Sequence, residues 1–191
     1  MAFAVSDAHA AARGPYHPLS AEHLYYHAVG RTPSGHPALG VGFPAILLAL
    51  SADGQCVETG WPYLPILPGD VSTWVPPTTA TPNHRCLGAV APGAVDEIVA
   101  ILKTGCPVVV ALLLGTQFYM PAAGVVDSHP GETDTDYHAV LAVGYGQEKA
   151  KHFILVRNSW GDAWGIAGCA WLAAEYLRAR LYAFARMEKT L

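Results

Sequence analysis

The sequence predicts an α+β protein, and three observations carry that reading. The first half holds helix signals and prolines, the second half holds β-branched apolar runs, and the two patterns do not alternate as βαβ units would. With 191 residues, 52% hydrophobic and 14% charged, the chain is long enough to bury a core and too apolar to stay disordered. Gly and Pro, 19 and 15 residues, call for many turns yet stay below the share that marks low-complexity sequence. One domain over 1–191 is expected, with a helical lobe at 1–88, a β lobe at 89–191 and a cleft between them.

Residues 2–13, AFAVSDAHAAAR, are rich in Ala and stop at Gly14-Pro15, so they predict a helix whose first turn lacks a capping side chain. Ser20 caps a second helix, SAEHLYYHAVG, with Glu22 in its first turn and Gly30 as its stop. A third covers Phe43 to Ser51. Six prolines between Trp61 and Pro82 predict an extended surface loop, and Val95 to Lys103, with Asp96 and Glu97 at its start, a short amphipathic helix. Strands follow at 107–114, 138–146 and 152–159, the last two joined by the polar loop QEKA.

Eleven Lys plus Arg against fifteen Asp plus Glu, a formal charge of -4, provide no basic surface for phosphates, so nucleic acid is excluded as a partner. No apolar run approaches the roughly 20 residues of a membrane helix, and no basic segment introduces a secretory signal; a soluble, cytoplasmic protein without membrane contact is expected. The low charge content also predicts association, as a homo- or hetero-oligomer.

Cys56, Cys86, Cys106 and Cys169 form no CxxC pair, which leaves disulfides open and argues against zinc. Cys56 and Cys86 are expected in loops, Cys106 at a strand entrance, and none at a helix start. His23 and His27, four apart on one helix, lack a carboxylate that would complete a metal site. The acidic segment Asp127, Glu132, Asp134, Asp136 lacks the alternation of a calcium loop and reads as solvated. Tyr25, Tyr26 and Trp61 read as packing residues, and no cofactor or metal is expected.

Two motifs carry chemistry: His138 opening HAVLAVGYG, and Asn158-Ser159-Trp160-Gly161 closed by Trp164-Gly165 in NSWGDAWG. Together they resemble the papain family of cysteine peptidases, whose catalytic His sits in an H-A-V...G-Y-G strand and whose orienting Asn sits in N-S-W-G-x-x-W-G. LSAEHLYYHA, ETGWPY and GCPVVVALLLG resemble that family's first-lobe helix, proline-bearing loop and barrel strand, and IAGCAWLAAEYL the turn and strand after the Asn. The resemblance implies a two-lobed papain-like fold, a β-barrel-like second lobe and a peptide or protein ligand in the cleft. It implies His138 as base, Asn158 as the amide that orients it, Trp160 as a shield for their hydrogen bond, and Gly40, Val41 and Gly42 near a wall that binds substrate backbone.

Such an enzyme needs a thiolate beside the imidazole, because the thiol itself is a poor nucleophile. In the family that Cys belongs to C-W-A-F at the start of the first long helix. Here Ala2-Phe3 align with A-F and Met1 with the Trp, so the nucleophile's column is empty, and the oxyanion Gln and the N-terminal strand are missing with it. The reading is a peptidase homologue, inactive as written, that binds peptides. The alternatives are an active Cys-His-Asn endopeptidase whose missing segment is absent from this sequence or supplied by another chain, and an assembly module.

Overall fold

The computed structural model describes residues 1–129 and 131–190, with the side chains of 189 and 190 left aside. The chain divides into two compact units, Met1–Ala89 with the C-terminal residues from Met187 on, and Val90–Arg186.

In the first unit, helices α1 (Ala2–Ala12) and α3 (Phe43–Ala52) pack on α2 (Ala21–Val29). Ser20 caps α2 as its sequence requires: the hydroxyl accepts from His23 N at 3.0 Å and donates to the Trp61 carbonyl at 2.6 Å. Gly30 ends the helix in the right-handed region, φ -60°, so the stop uses no left-handed cap. Met1 gives α1 no side-chain cap.

The Pro-rich stretch after Trp61 is irregular apart from a 3-10 turn at Val71–Thr73, but it is no mere surface loop. Trp61 and Trp74 are buried with Val29 and Cys56, and Tyr25, Tyr26 and Val41 pack against them. Glu22 makes this possible. Its buried carboxylate accepts from Trp74 Nε1 at 2.6 Å and from Leu64 N at 3.1 Å, so a helix side chain holds a segment that has no ladder of its own. Nearby, buried Gln55 donates to Ser6 Oγ at 2.6 Å and to the Ser20 carbonyl at 3.0 Å, and accepts from His9 Nδ1 at 2.8 Å. Cys86, expected in a loop, opens strand β1 (Cys86–Pro92), because the apolar run after Arg85 has strand partners that composition does not reveal.

The second unit is a sheet with helices on it. Strands β2 (Val108–Gly115), β3 (Val125–Val126), β4 (Asp134–Glu148), β5 (Lys151–Arg157), β6 (Cys169–Ala173) and β7 (Leu181–Thr190) lie in the order β7-β2-β4-β5-β6-β3, with β1 beside β7. Strand β2 pairs antiparallel with β4 on one side and β7 on the other, Leu112 opposite His138 and Val110 opposite Phe184. It is buried along nearly its whole length, which is why its sequence is an unbroken apolar run instead of an alternating one. Helices α4 (Val95–Leu102) and α6 (Ala174–Arg180) add Ile98, Leu102 and Leu177 to the core around Leu112, Ile154 and Leu172.

Two sequence expectations change here. The hairpin continues to Glu148 opposite Lys151, so the turn is the two residues Lys149-Ala150, with Lys149 at φ 53°, and not the four-residue QEKA. The segment read as a strand after the Asn is a strand only through Ala173; AEYLRAR is helix α6, as its Ala, Glu, Leu and Arg content favours. A one-turn helix, α5 (Thr116–Tyr119), and β7 had no sequence reading at all. Among the described residues no helix is long and apolar enough to cross a membrane.

Candidate active site

His138 stands on β4 opposite Leu112, and β5 ends one residue before Asn158. Leu141 faces Arg157 across β4 and β5, so Asn158 continues the register opposite Val140 and lies diagonally from His138 on the same face. Two donors meet on Asn158 Oδ1: Ser159 N at 2.8 Å and His138 Nε2 at 2.8 Å. A backbone N–H only donates, so the atom it meets is the carbonyl oxygen of the carboxamide. The His138 nitrogen facing the same oxygen must then carry a proton. The imidazole is held as the Nε2–H tautomer, with Nδ1 left as the basic nitrogen.

Aromatic rings partly cover that bond, which is half-buried. Trp160 lies 4.8 Å from the His138 ring, Phe118 meets His138 edge-on at 5.9 Å, and Tyr119 stacks on Trp160 at 5.5 Å. Asn158 is 8% exposed and Phe118 fully buried. Burial pushes the His138 pKa below the usual histidine value, and the hydrogen bond to Asn158 opposes the shift without cancelling it.

The turn after Asn158 needs its glycines. Gly165 sits at φ 62°, and a Cβ there would lie 2.2 Å from the Cys169 carbonyl oxygen. That contact, with Trp164 Nε1 donating to the Phe118 carbonyl at 2.8 Å, is what the second Trp-Gly of the motif secures.

The structure thus brings together His138, Asn158 and Trp160. Gly40, Val41 and Gly42 lie in the first unit, between the 3-10 turn Pro37–Leu39 and α3. Gly40, at φ 71°, and Gly42 are exposed, while Val41 packs on the Trp61 and Trp74 cluster. Sequence reasoning missed Phe118, which follows an apolar strand run and carries no signal of its own. It also misread Glu132, whose side chain is 1% exposed and ion-paired to Arg180 at 3.0 Å; of the acidic segment, Asp127 pairs with Lys151 at 2.7 Å and Asp134 with Arg180 at 2.8 Å.

Neither cysteine of the second unit reaches the imidazole. Cys169 is opposite Arg157, which is opposite Leu141, so it lies two strand spacings, about 10 Å, across the sheet and three residues, about 10 Å, along it from His138. Cys106 precedes Val108, whose partner Ala142 is four residues, about 13 Å, along β4 from His138. In the first unit, Cys56 and Cys86 are buried, and burial raises the Cys56 thiol pKa, the reverse of activation. None of the four is in a disulfide among the described residues.

Residues 74–181 match the sequence profile of the papain family cysteine proteases. The chain belongs to that family. Over 78 residues it is 44% identical to the thiol protease aleurain of Arabidopsis thaliana, and over 63 residues 43% identical to cathepsin K of Mus musculus; these stretches are 40% and 33% of this chain. They span 22% and 18% of those relatives, so the chain matches about a fifth of their length. Among solved structures, xylellain, a cysteine protease from Xylella fastidiosa, superposes over 98% of this chain and 78% of its own, with TM-score 0.75 and 24% identity. Bromelain from Ananas comosus, in complex with the E64 inhibitor, does so over 97% and 85%, with TM-score 0.71 and 20% identity. The fold is papain-like.

Proposed function

We propose that the polypeptide of these 191 residues binds peptide or protein chains and does not by itself cleave them. The observation that supports this is an imidazole fixed as a base, Nε2–H on Asn158, with no thiol of the second unit within reach of Nδ1. Hydrolysis in this family's manner needs a thiolate to form the acyl-enzyme and backbone or amide donors for the oxyanion. In this reading His138, Asn158 and Trp160 keep the family's geometry, and the backbone of Gly40, Val41 and Gly42 holds the bound chain.

A second reading is favoured by the same tautomer. When another segment or chain supplies the thiol, Nδ1 takes its proton, the thiolate attacks the peptide carbonyl, the imidazolium returns the proton to the departing amine, and water releases the acyl group. The domain is then an endopeptidase.

Fluorogenic peptides and a thiol-directed epoxide, applied to the 191-residue polypeptide, test the first reading. No turnover, with saturable binding of uncleaved peptide, is expected. Turnover that disappears on replacing one of the four cysteines would overturn it. Turnover that appears only on adding a peptide carrying a Q...C-W segment would establish the second.

A further inference from the structure

We propose that Glu132, clamped by Arg180, is a positioning residue for the His138 imidazole, acting through the turn at 115–118 and the Phe118 ring. The inference rests on the reading of His138 as the base of the site.

The turn between β2 and α5 has two N–H groups to satisfy away from solvent, and side chains distant in sequence satisfy both. Glu132 Oε1 accepts from Gln117 N at 2.8 Å, and the Tyr176 hydroxyl accepts from Gly115 N at 2.8 Å. Arg180 binds both arrangements together. It pairs with Glu132 Oε2 at 3.0 Å and, through Nε, with Asp134 at 2.8 Å, while its guanidinium lies 4.5 Å over the Tyr176 ring. Glu132 and Arg180 are 1% and 10% exposed, so the clamp is buried.

From this turn the chain delivers Phe118, whose carbonyl takes the Trp164 indole N–H and whose ring meets His138 at 5.9 Å and Trp160 at 5.5 Å. Buried ion pairs add little net stability over an apolar pair of the same shape. What a carboxylate adds here is a directed acceptor for Gln117 N. Space has been kept for it: a Cβ on residue 115 would lie 2.2 Å from Glu132 Oε1, although the φ of -88° there suits any residue. Ala at 115 would therefore displace the carboxylate and disturb little else.

Nitrogen and proton NMR of the histidine rings tests the clamp, with thermal unfolding recorded alongside. In the unaltered polypeptide the His138 Nε2–H is expected as a downfield, slowly exchanging proton. Gly115→Ala and Glu132→Ala are expected to fold and to exchange that proton about tenfold faster. Glu132→Gln, which keeps an acceptor for Gln117 N, is expected to retain it. A proton unaffected by Gly115→Ala, or lost equally in Glu132→Gln, contradicts the clamp alone, whether or not Glu132→Ala folds. An unaltered protein lacking the proton contradicts the reading of His138 itself.

Discussion

The two units solve the burial problem with different chemistry. In Val90–Arg186 the interior is hydrocarbon on a sheet, and its polar groups gather at one end, around His138 and the 115–118 turn. In Met1–Ala89 polar side chains run through the interior: His9, Ser6, Gln55 and Ser20 form one chain of hydrogen bonds, and Glu22 joins Trp74 to Leu64. A sheet satisfies its own backbone and can fill its core with Val, Leu and Ile. A stretch with six prolines cannot, so carboxylate and amide side chains take over the role of the ladder. The two units should therefore respond to different perturbations.

The largest effect is expected from the hydrocarbon core. Leu172→Ala, at a fully buried site, should lower the free energy of unfolding by about 2–5 kcal/mol in denaturant titration. A loss below about 1 kcal/mol would mean that the sheet core is not close-packed.

Acid should act chiefly on the polar unit. Burial lowers the pKa of His9, His23 and His27, His23 to about 4. A histidine whose folded pKa is depressed takes up its proton more readily when unfolded. Its contribution to stability is full above about pH 6.5 and is lost as pH falls towards the folded value. For His23 the window runs from about 6.5 to about 4 and the contribution is on the order of 3 kcal/mol. Replacing it, as in His23→Gln, should flatten the dependence of unfolding free energy on pH in that range. An unchanged slope would remove His23 as its source.

A smaller effect separates charge from shape at the tryptophan loop. Glu22→Gln keeps one acceptor, Oε1, and replaces the other by a donor, so either Leu64 N or Trp74 Nε1 loses its partner. The expected cost is about 1–3 kcal/mol, with a change in Trp emission as Trp74 loosens. Emission that stays fixed would show that packing with Tyr25, Tyr26 and Trp61 suffices to hold it.

Much of the site was legible in the residues because its parts are local signals. His138 and Asn158 each begin or end a β-branched run, and Trp160, Gly161, Trp164 and Gly165 specify one turn. Ser20 and Glu22 announce α2 in the same way. What could not be read is whatever depends on a distant partner. Glu132 stands in a run of acids that looks solvated; its burial is decided by Arg180 and by the missing side chain of Gly115. Trp74 lies among prolines and polar residues, and only Glu22 explains why it is inside. Helix α5 is four residues long, too short for any periodicity to show.

The tautomer of His138 decides whether this domain carries a poised base. Long-range nitrogen–proton correlation on the histidine rings at neutral pH should find Nε2 protonated and Nδ1 bare, and Asn158→Ala should release the ring to a mixture of tautomers. A proton on Nδ1 in the unaltered protein, or a spectrum indifferent to Asn158→Ala, would contradict the geometry of the site.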